Sequence, residues 1–206
     1  MNLSKIRKTK RQDKAYIIPL WSLDSSLWRD ALKTEIINAK QTKLKVKDIK
    51  AIAEIECHEK VRGWLIIRVE NDVEREYISY RRFFRNLPKN RRAEILVAKH
   101  DDRVAGFLGL WRLGGYMDHV AAIGVSVHPD FWGKKIATRL IKAAIKLARK
   151  NGLLRLEIET RSDNTAMRHV AKKSGFKLEK LRRKRIRKNG SFFDEASYYL
   201  LLDNAV

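Results

Sequence analysis

The sequence predicts a mixed α/β (α+β) domain, and three observations predict it. Segments before Pro88 carry apolar residues at helical spacing. Segments after it are short, apolar and rich in β-branched residues. The order of elements from there on reads β-β-β-α-β-α-β-β, which demands a mixed sheet with helices against it. A chain of 206 residues, 44% hydrophobic, can bury one substantial core, so full disorder is excluded. Ten Gly and three Pro exclude collagen-like and low-complexity classes.

The first 40 residues read as an extension. A basic segment, Met1–Lys14, is followed by an apolar patch, Ile17 to Trp21, and by Asp24 and Ser25 as helix caps. Trp28, Leu32, Ile36 and Ala39 then recur at helical spacing and predict an extra helix. The division expected is residues 1–41, basic tail and helix, and 42–206, the main domain. Lys43–Val46 predicts a short strand. Asp48 predicts the cap of a helix reaching about Cys57, with Ile49, Ile52, Ala53 and Cys57 on one face. Asn71 or Asp72 caps the next, whose face is Val73, Tyr77, Tyr80, Phe84 and Leu87, and Pro88 ends it. Helical spacing makes that aromatic stripe core rather than a base-stacking surface.

Ala93–Ala98 and Val104–Leu113 predict neighbouring strands joined at His100–Arg103, and Val120–Val127 a third, stopped by Pro129. Lys134–Lys150 predicts a helix with Ile136, Leu140, Ile141, Ala144, Ile145 and Ala148 inward, terminated by Asn151-Gly152. Leu153–Glu159 predicts a strand and Asn164–Lys173 a short helix. Gly175-Phe176 turns into a strand toward Arg187, Asn189-Gly190 makes a tight turn, and Ser197–Leu202 is the return strand.

Charge is the compositional outlier: 46 Lys+Arg against 24 Asp+Glu leave +22. Met1–Lys14 and Lys172–Lys188 together supply +14 of it, and Arg182, Arg183, Lys184 and Arg185 are contiguous. Such a field favours polyanions, and two readings stay open: a nucleic acid or ribosome as partner, or a solvated basic surface. One cysteine, Cys57, excludes a disulfide framework and a multi-cysteine zinc site, and fits a reducing, cytoplasmic compartment. His58, His100, His128 and His169 show no metal-ligand spacing, so no metal is expected. No apolar run approaches the roughly 20 residues of a membrane span, so no membrane is expected either.

Two stretches carry candidate chemistry. In His128-Pro129-Asp130-Phe131-Trp132-Gly133-Lys134-Lys135-Ile136-Ala137 a strand turns into a helix start, where free amides and the helix dipole favour an anion. Gly133 permits close backbone approach, and Lys134 and Lys135 add charge. The second stretch, Asn164-Thr165-Ala166-Met167 followed by Ser174-Gly175-Phe176, reads as a capped helix with a glycine end.

Taken together, in this order and with a strand between them, they resemble the GNAT superfamily of acetyl-CoA-dependent N-acetyltransferases over about Lys43 to Leu202. The first is similar to that family's pyrophosphate loop and the second to its Asn…Gly-Phe segment. His119–Val127 resembles its central strand, and Gly190…Asp194 followed by Tyr198-Tyr199-Leu200 resembles the last hairpin of members that acetylate amines and protein N-termini. Three positions depart from the pattern: Trp132 for the usual Arg or Gln, Lys135 for the second Gly, and Ala171 for a common Tyr.

The resemblance implies a mostly antiparallel sheet with two splayed parallel strands, Val120–Val127 and Leu153–Glu159, holding acetyl-CoA between them. It implies pantetheine pairing at Val125 and Val127, pyrophosphate on Trp132, Gly133, Lys134, Lys135, Ile136 and Ala137, and a contact from Asn164. The acceptor amine would attack the thioester directly, releasing CoA. His119 stands where one branch of the family carries its base, and imidazole can accept a proton at neutral pH, the other reading being a strand-start histidine bonded to a backbone carbonyl; solvent, Tyr198 or Tyr199 could protonate the thiolate. The acceptor would enter beside Trp64 and the Asn189–Asp194 turn. The activity implied is transfer to a primary amine on a protein, an N-terminus or a lysine. The alternative is a binding protein of the same fold, held on RNA, DNA or a ribosome by the basic tail and by Arg182, Arg183, Lys184 and Arg185.

Overall fold

A computed structural model describes residues 34–67 and 69–202. The basic segment Met1–Lys14, the patch Ile17 to Trp21 and the first two turns of the expected N-terminal helix lie outside them. Within the described residues the chain runs β1 (Thr34–Asn38), α1 (Val46–Cys57), α2 (Glu59–Arg62), α3 (Val73–Asn86), β2 (Ala93–His100), β3 (Arg103–Gly114), β4 (Met117–Val127), α4 (Ile136–Lys150), β5 (Arg155–Arg161), α5 (Thr165–Lys173), β6 (Lys177–Lys188) and β7 (Ser191–Leu201). One seven-stranded sheet has the order β1-β2-β3-β4-β5-β7-β6. Every neighbouring pair is antiparallel except β4 and β5. This is the mixed α/β sheet that the sequence predicts.

Two layers flank the sheet. On one side α4 and α5 cover Leu108, Leu110, Ala121, Ile123, Leu156, Ile158 and Tyr198. The buried set of α4 is Ile136, Leu140, Ile141, Ala144, Ile145 and Ala148, matching its 3.6-residue period residue for residue. On the other side α1 and α3 cover Ile95, Val97, Val104 and Phe107, with Tyr77, Tyr80 and Phe84 packed inward. Asp72 caps α3 by accepting from the Arg75 amide.

Two local expectations are corrected. Residues 34–38, placed on a helix by the spacing of Ile36 and Ala39, form β1 and pair with β2. The β-branched run Thr34, Ile36, Ile37 fits a pleated edge, and the partner strand decides the outcome. Residues 43–45 form no strand, and Val46 already begins α1. Asp48 is the third residue of that helix rather than its cap: its buried carboxylate accepts from the Lys45 amide and from Lys99 Nζ.

Candidate active site

The site begins where the sheet opens. β4 and β5 pair over three residues only: Val120 with Arg155, Ala121 with Leu156, Ala122 with Glu157. Beyond them β4 continues from Ile123 to Val127 on β3, and β5 from Ile158 to Arg161 on β7, without pairing to each other. Alternation fixes which groups face the gap. His119 C=O accepts from Leu154 on the β5 side, whereas the His128 amide donates to Ala105 on the β3 side. Odd-numbered residues of β4 therefore present their backbone N–H and C=O to β5. Ile123, Val125 and Val127 line one edge of the opening, which is where pairing by Val125 and Val127 is expected. The Val127 carbonyl is already occupied, accepting from Trp132 Nε1 at 2.8 Å.

At the end of β4 the loop passes through a short 3-10 turn, Pro129–Phe131, into α4. Gly133 has φ 77° and Lys135 φ 60°. These two left-handed residues follow an extended Trp132 and turn the chain sharply into α4. Lys135 is the N-cap of α4 and makes no side-chain cap bond, and the first turn holds no acidic residue. A Cβ built on Gly133 would meet nothing within 4 Å, so the space above the loop is clear. An uncapped fifteen-residue helix with basic residues at its start is a fit for a diphosphate, and the gap behind it is a fit for an extended amide-bearing arm. The two lysines differ: Lys134 Nζ lies 5.3 Å over the Phe131 ring, while among the described residues no fixed partner holds the Lys135 side chain. Asn164 Oδ1 caps α5 by accepting from the Met167 amide, so that any ligand contact falls to its NH2 group.

The face of the opening away from α4 carries its own chemistry. Arg155, Glu157, Glu159 and Arg161 alternate with buried Leu156, Ile158 and Thr160 along β5, so all four lie on this face. Arg155 Nε holds Glu157 at 2.7 Å, and Arg182 Nη1 holds Glu159 at 2.8 Å and also Glu195. The Arg161 guanidinium lies 3.6 Å from the Phe193 ring centre and 5.0 Å from that of Trp64, which is 41% exposed. Trp64 thus stands beside Arg161 on this face. Lys188 Nζ donates to the Arg62 and Leu65 carbonyls, and the last hairpin is thereby tied to the end of α2.

A buried cluster joins α1 and α3 to β4 nearby. Glu56 accepts from Tyr80 Oη at 2.5 Å and from Ser126 Oγ at 3.2 Å. Burial pushes its carboxyl above the usual glutamate range, against the lowering effect of these two bonds. Burial, then the Glu56 charge, also pushes the Tyr80 phenol up. The sequence reading missed Glu56, although it sits seven residues after Ile49 and four after Ile52, on the apolar face of α1. It also missed Glu157 and Glu159, whose place depends on the strand register alone.

Two expected catalytic residues are not brought to the opening. His119 is exposed and precedes the paired segment; Ile123, where the opening starts, is about 13 Å further along the strand. Tyr198 is fully buried beneath α5, and its hydroxyl accepts from Arg168 Nε at 3.0 Å. It is a core residue with a satisfied hydroxyl. Of the basic run, Arg182 is paired with Glu159 and Glu195 on the face of the opening away from α4, whereas Arg183, Lys184 and Arg185 are exposed on β6 at the sheet edge. Among the described residues no group of three or more His, Cys, Asp or Glu could hold a metal ion, and no helix is long and apolar enough to cross a membrane.

Residues 49–176 match the model of the acetyltransferase (GNAT) family. A Bacillus subtilis (strain 168) protein named as a ribosomal protein bS18-alanine N-acetyltransferase is 27% identical over 108 residues, covering 52% of this chain and 70% of that protein. Two solved structures share the fold. The yncA protein of Salmonella typhimurium, solved with its cofactor acetyl-CoA, has a TM-score of 0.68 at 22% identity, over 84% of this chain and 96% of that one. A ribosomal-protein-alanine N-acetyltransferase from Brucella melitensis has a TM-score of 0.65 at 19% identity, over 82% of this chain and 99% of the other.

Proposed function

The chain belongs to the acetyltransferase (GNAT) family, and from that premise we propose that it acetylates the α-amine at the N-terminus of a protein. The chain is an N-acetyltransferase, and acetyl-CoA supplies the thioester that is consumed. The residues that would hold the donor are the backbone of Ile123 and Val125 at the gap, the amides from Trp132 to Ala137, and the Asn164 NH2 group.

The observation that carries the choice of acceptor is the neutralised face at the opening. Glu157 and Glu159 are each held by an arginine, and the whole chain is at +22. A polyamine would find no surplus negative charge there. Proton removal points the same way. At pH 7 a lysine ammonium costs about 4.6 kcal/mol to deprotonate and an α-ammonium about 1 kcal/mol. A site with committed carboxylates suits the less demanding amine. Glu159 stands on the splayed part of β5, on the acceptor side, and takes the amine proton directly or through water; this role replaces the one expected of His119. The thiolate that leaves has an ordinary pKa near 8.5 and draws its proton from solvent. The relatives named for ribosomal-protein alanine acetylation support a protein acceptor. The acetyl-CoA donor and the single free thiol, Cys57, support a cytoplasmic setting.

The test is a peptide with a free N-terminus and one internal lysine, incubated with acetyl-CoA beside spermidine and mapped by mass spectrometry. Acetyl on the α-amine, at least about tenfold over the lysine and over spermidine, is the expected result. Preference for lysine or spermidine refutes it. Exposed Arg183, Lys184 and Arg185 favour an additional role, contact with nucleic acid or a ribosome during acetylation, whose test concerns the whole molecule and is given below.

A further inference from the structure

We propose that Trp111 selects the acceptor, favouring an amine whose adjoining group is apolar; this rests on the acetyltransferase reading above. Trp111, Ala122, Glu157 and Tyr199 lie in one registered row across β3, β4, β5 and β7. Ala122 and Glu157 are the last paired residues before the sheet opens. Leu108 and Leu110 face α4, so Trp111 lies on the opposite, acceptor side.

Its ring does not stand upright. It is laid back along β3 toward the opened segment. A Cβ on Gly109 would come within 2.0 Å of the indole, and one on Gly124 would lie 3.5 Å from it. Gly109 and Gly124 are partners in register, so two absent side chains give the indole a flat bed at the lip of the gap. Phe107, four residues earlier on the same face, is buried under α1 and α3, yet Trp111 is 40% exposed. Among the described residues the helices leave it uncovered, open to an acceptor at the lip of the gap.

In the same row at the lip of the gap stands Glu157, two strand spacings away, about 10 Å. Its carboxylate is held by Arg155, and Glu159 beyond it by Arg182. One wall is therefore an uncommitted aromatic face and the other is charge-compensated. An acceptor's side chain resting on the indole loses water without gaining a charge partner, which favours Ala, Met or Leu as the first residue over Asp or Arg.

The experiment measures kcat/KM for matched peptides beginning with Ala, Met, Leu, Asp or Arg, together with phenethylamine and ethanolamine. The wild-type protein is expected to favour the apolar members about tenfold or more. Trp111→Ala should raise KM for those members about tenfold and flatten the preference, with KM for acetyl-CoA within about twofold. Trp111→Phe should keep most of the preference, and Gly109→Ala, which displaces the ring without removing it, should lose it. Should Trp111→Ala fail to fold, Trp111→Phe and Gly109→Ala decide the question. Peptides used without regard to the first residue, or a preference that survives in Trp111→Ala and Gly109→Ala, overturns the role of Trp111 and leaves the protein-acceptor reading in place. Acetylation of phenethylamine over ethanolamine with no peptide acetylated, the preference being lost in Trp111→Ala, overturns the protein acceptor and supports Trp111. Failure to acetylate either kind overturns both.

Discussion

Lys135 occupies a backbone conformation that its side chain disfavours. At φ 60° it is left-handed, a state that costs a non-glycine residue roughly 1–2 kcal/mol. This explains in physical terms why the related loops carry glycine there. Lys135→Gly should therefore raise stability by about 1 kcal/mol, read as the midpoint of urea unfolding, and should leave acetyl-CoA binding intact because the amide remains. Gly133→Glu is the opposite case: it adds strain at φ 77° and sets a carboxylate against the phosphates, so acetyl-CoA should produce no thermal shift. At the reacting end, Glu159→Gln should lower kcat by about 10²-fold or more while KM for acetyl-CoA holds, and His119→Ala should lower it less than about threefold. A large loss in His119→Ala with a small one in Glu159→Gln would return the base to His119.

The elements were legible in the sequence wherever a local period or a stop signal decided them. The inward set of α4, the Asp72 cap of α3 and the Asn189-Gly190 turn all follow from residues close to one another in the chain. β1 was not legible, because Ile36 and Ala39 fit a helical spacing and only the distant edge of β2 makes the segment a strand. The loop into α4 was readable from Gly133 and two lysines. The carboxylates at the opening were not, since a register of three pairs, invisible in sequence, sets Glu157 beside β4 and leaves Glu159 on the splayed part of β5. Glu56 left one signal, a carboxylate at a helical core position, and its consequence is testable. Its pKa is raised in the folded state, chiefly by burial. Below the ordinary glutamate pKa the group is protonated both folded and unfolded, and above the folded value it is ionised in both. Its contribution to stability therefore falls as pH rises through the window between those two values. Glu56→Gln should flatten that fall in a series of melting temperatures from pH 4 to 8. Glu56→Ala should cost about 1–3 kcal/mol at any of these pH values, because Tyr80 and Ser126 lose their acceptor.

On the scale of the whole molecule the charge of +22 has two concentrated sources, and the described one is an edge strand. β6 is exposed along nearly its whole length, and its outer edge has no partner strand among the described residues. An unpaired edge ordinarily invites another strand, and contiguous cations are a recognised protection against that. Protection alone would need a few lysines scattered along the strand. It does not account for +5 in the first 14 residues as well. A polyanion accounts for both. If the six cations of residues 1–14 each neutralise a phosphate, deleting them should reduce the slope of log K against log salt on duplex DNA by about 5. Replacing Arg183, Lys184 and Arg185 with alanine should reduce it by about 3, since Arg182 is engaged with Glu159 and Glu195 and is left in place. Both variants should bind acetyl-CoA as the full chain does, because neither touches the gap or the loop at α4. Fluorescence anisotropy over a salt series reads the slopes, and thermal shift reads the donor. Absence of binding by the full chain at physiological salt would reduce both basic segments to a solvated surface, with the acetyltransferase site unaffected.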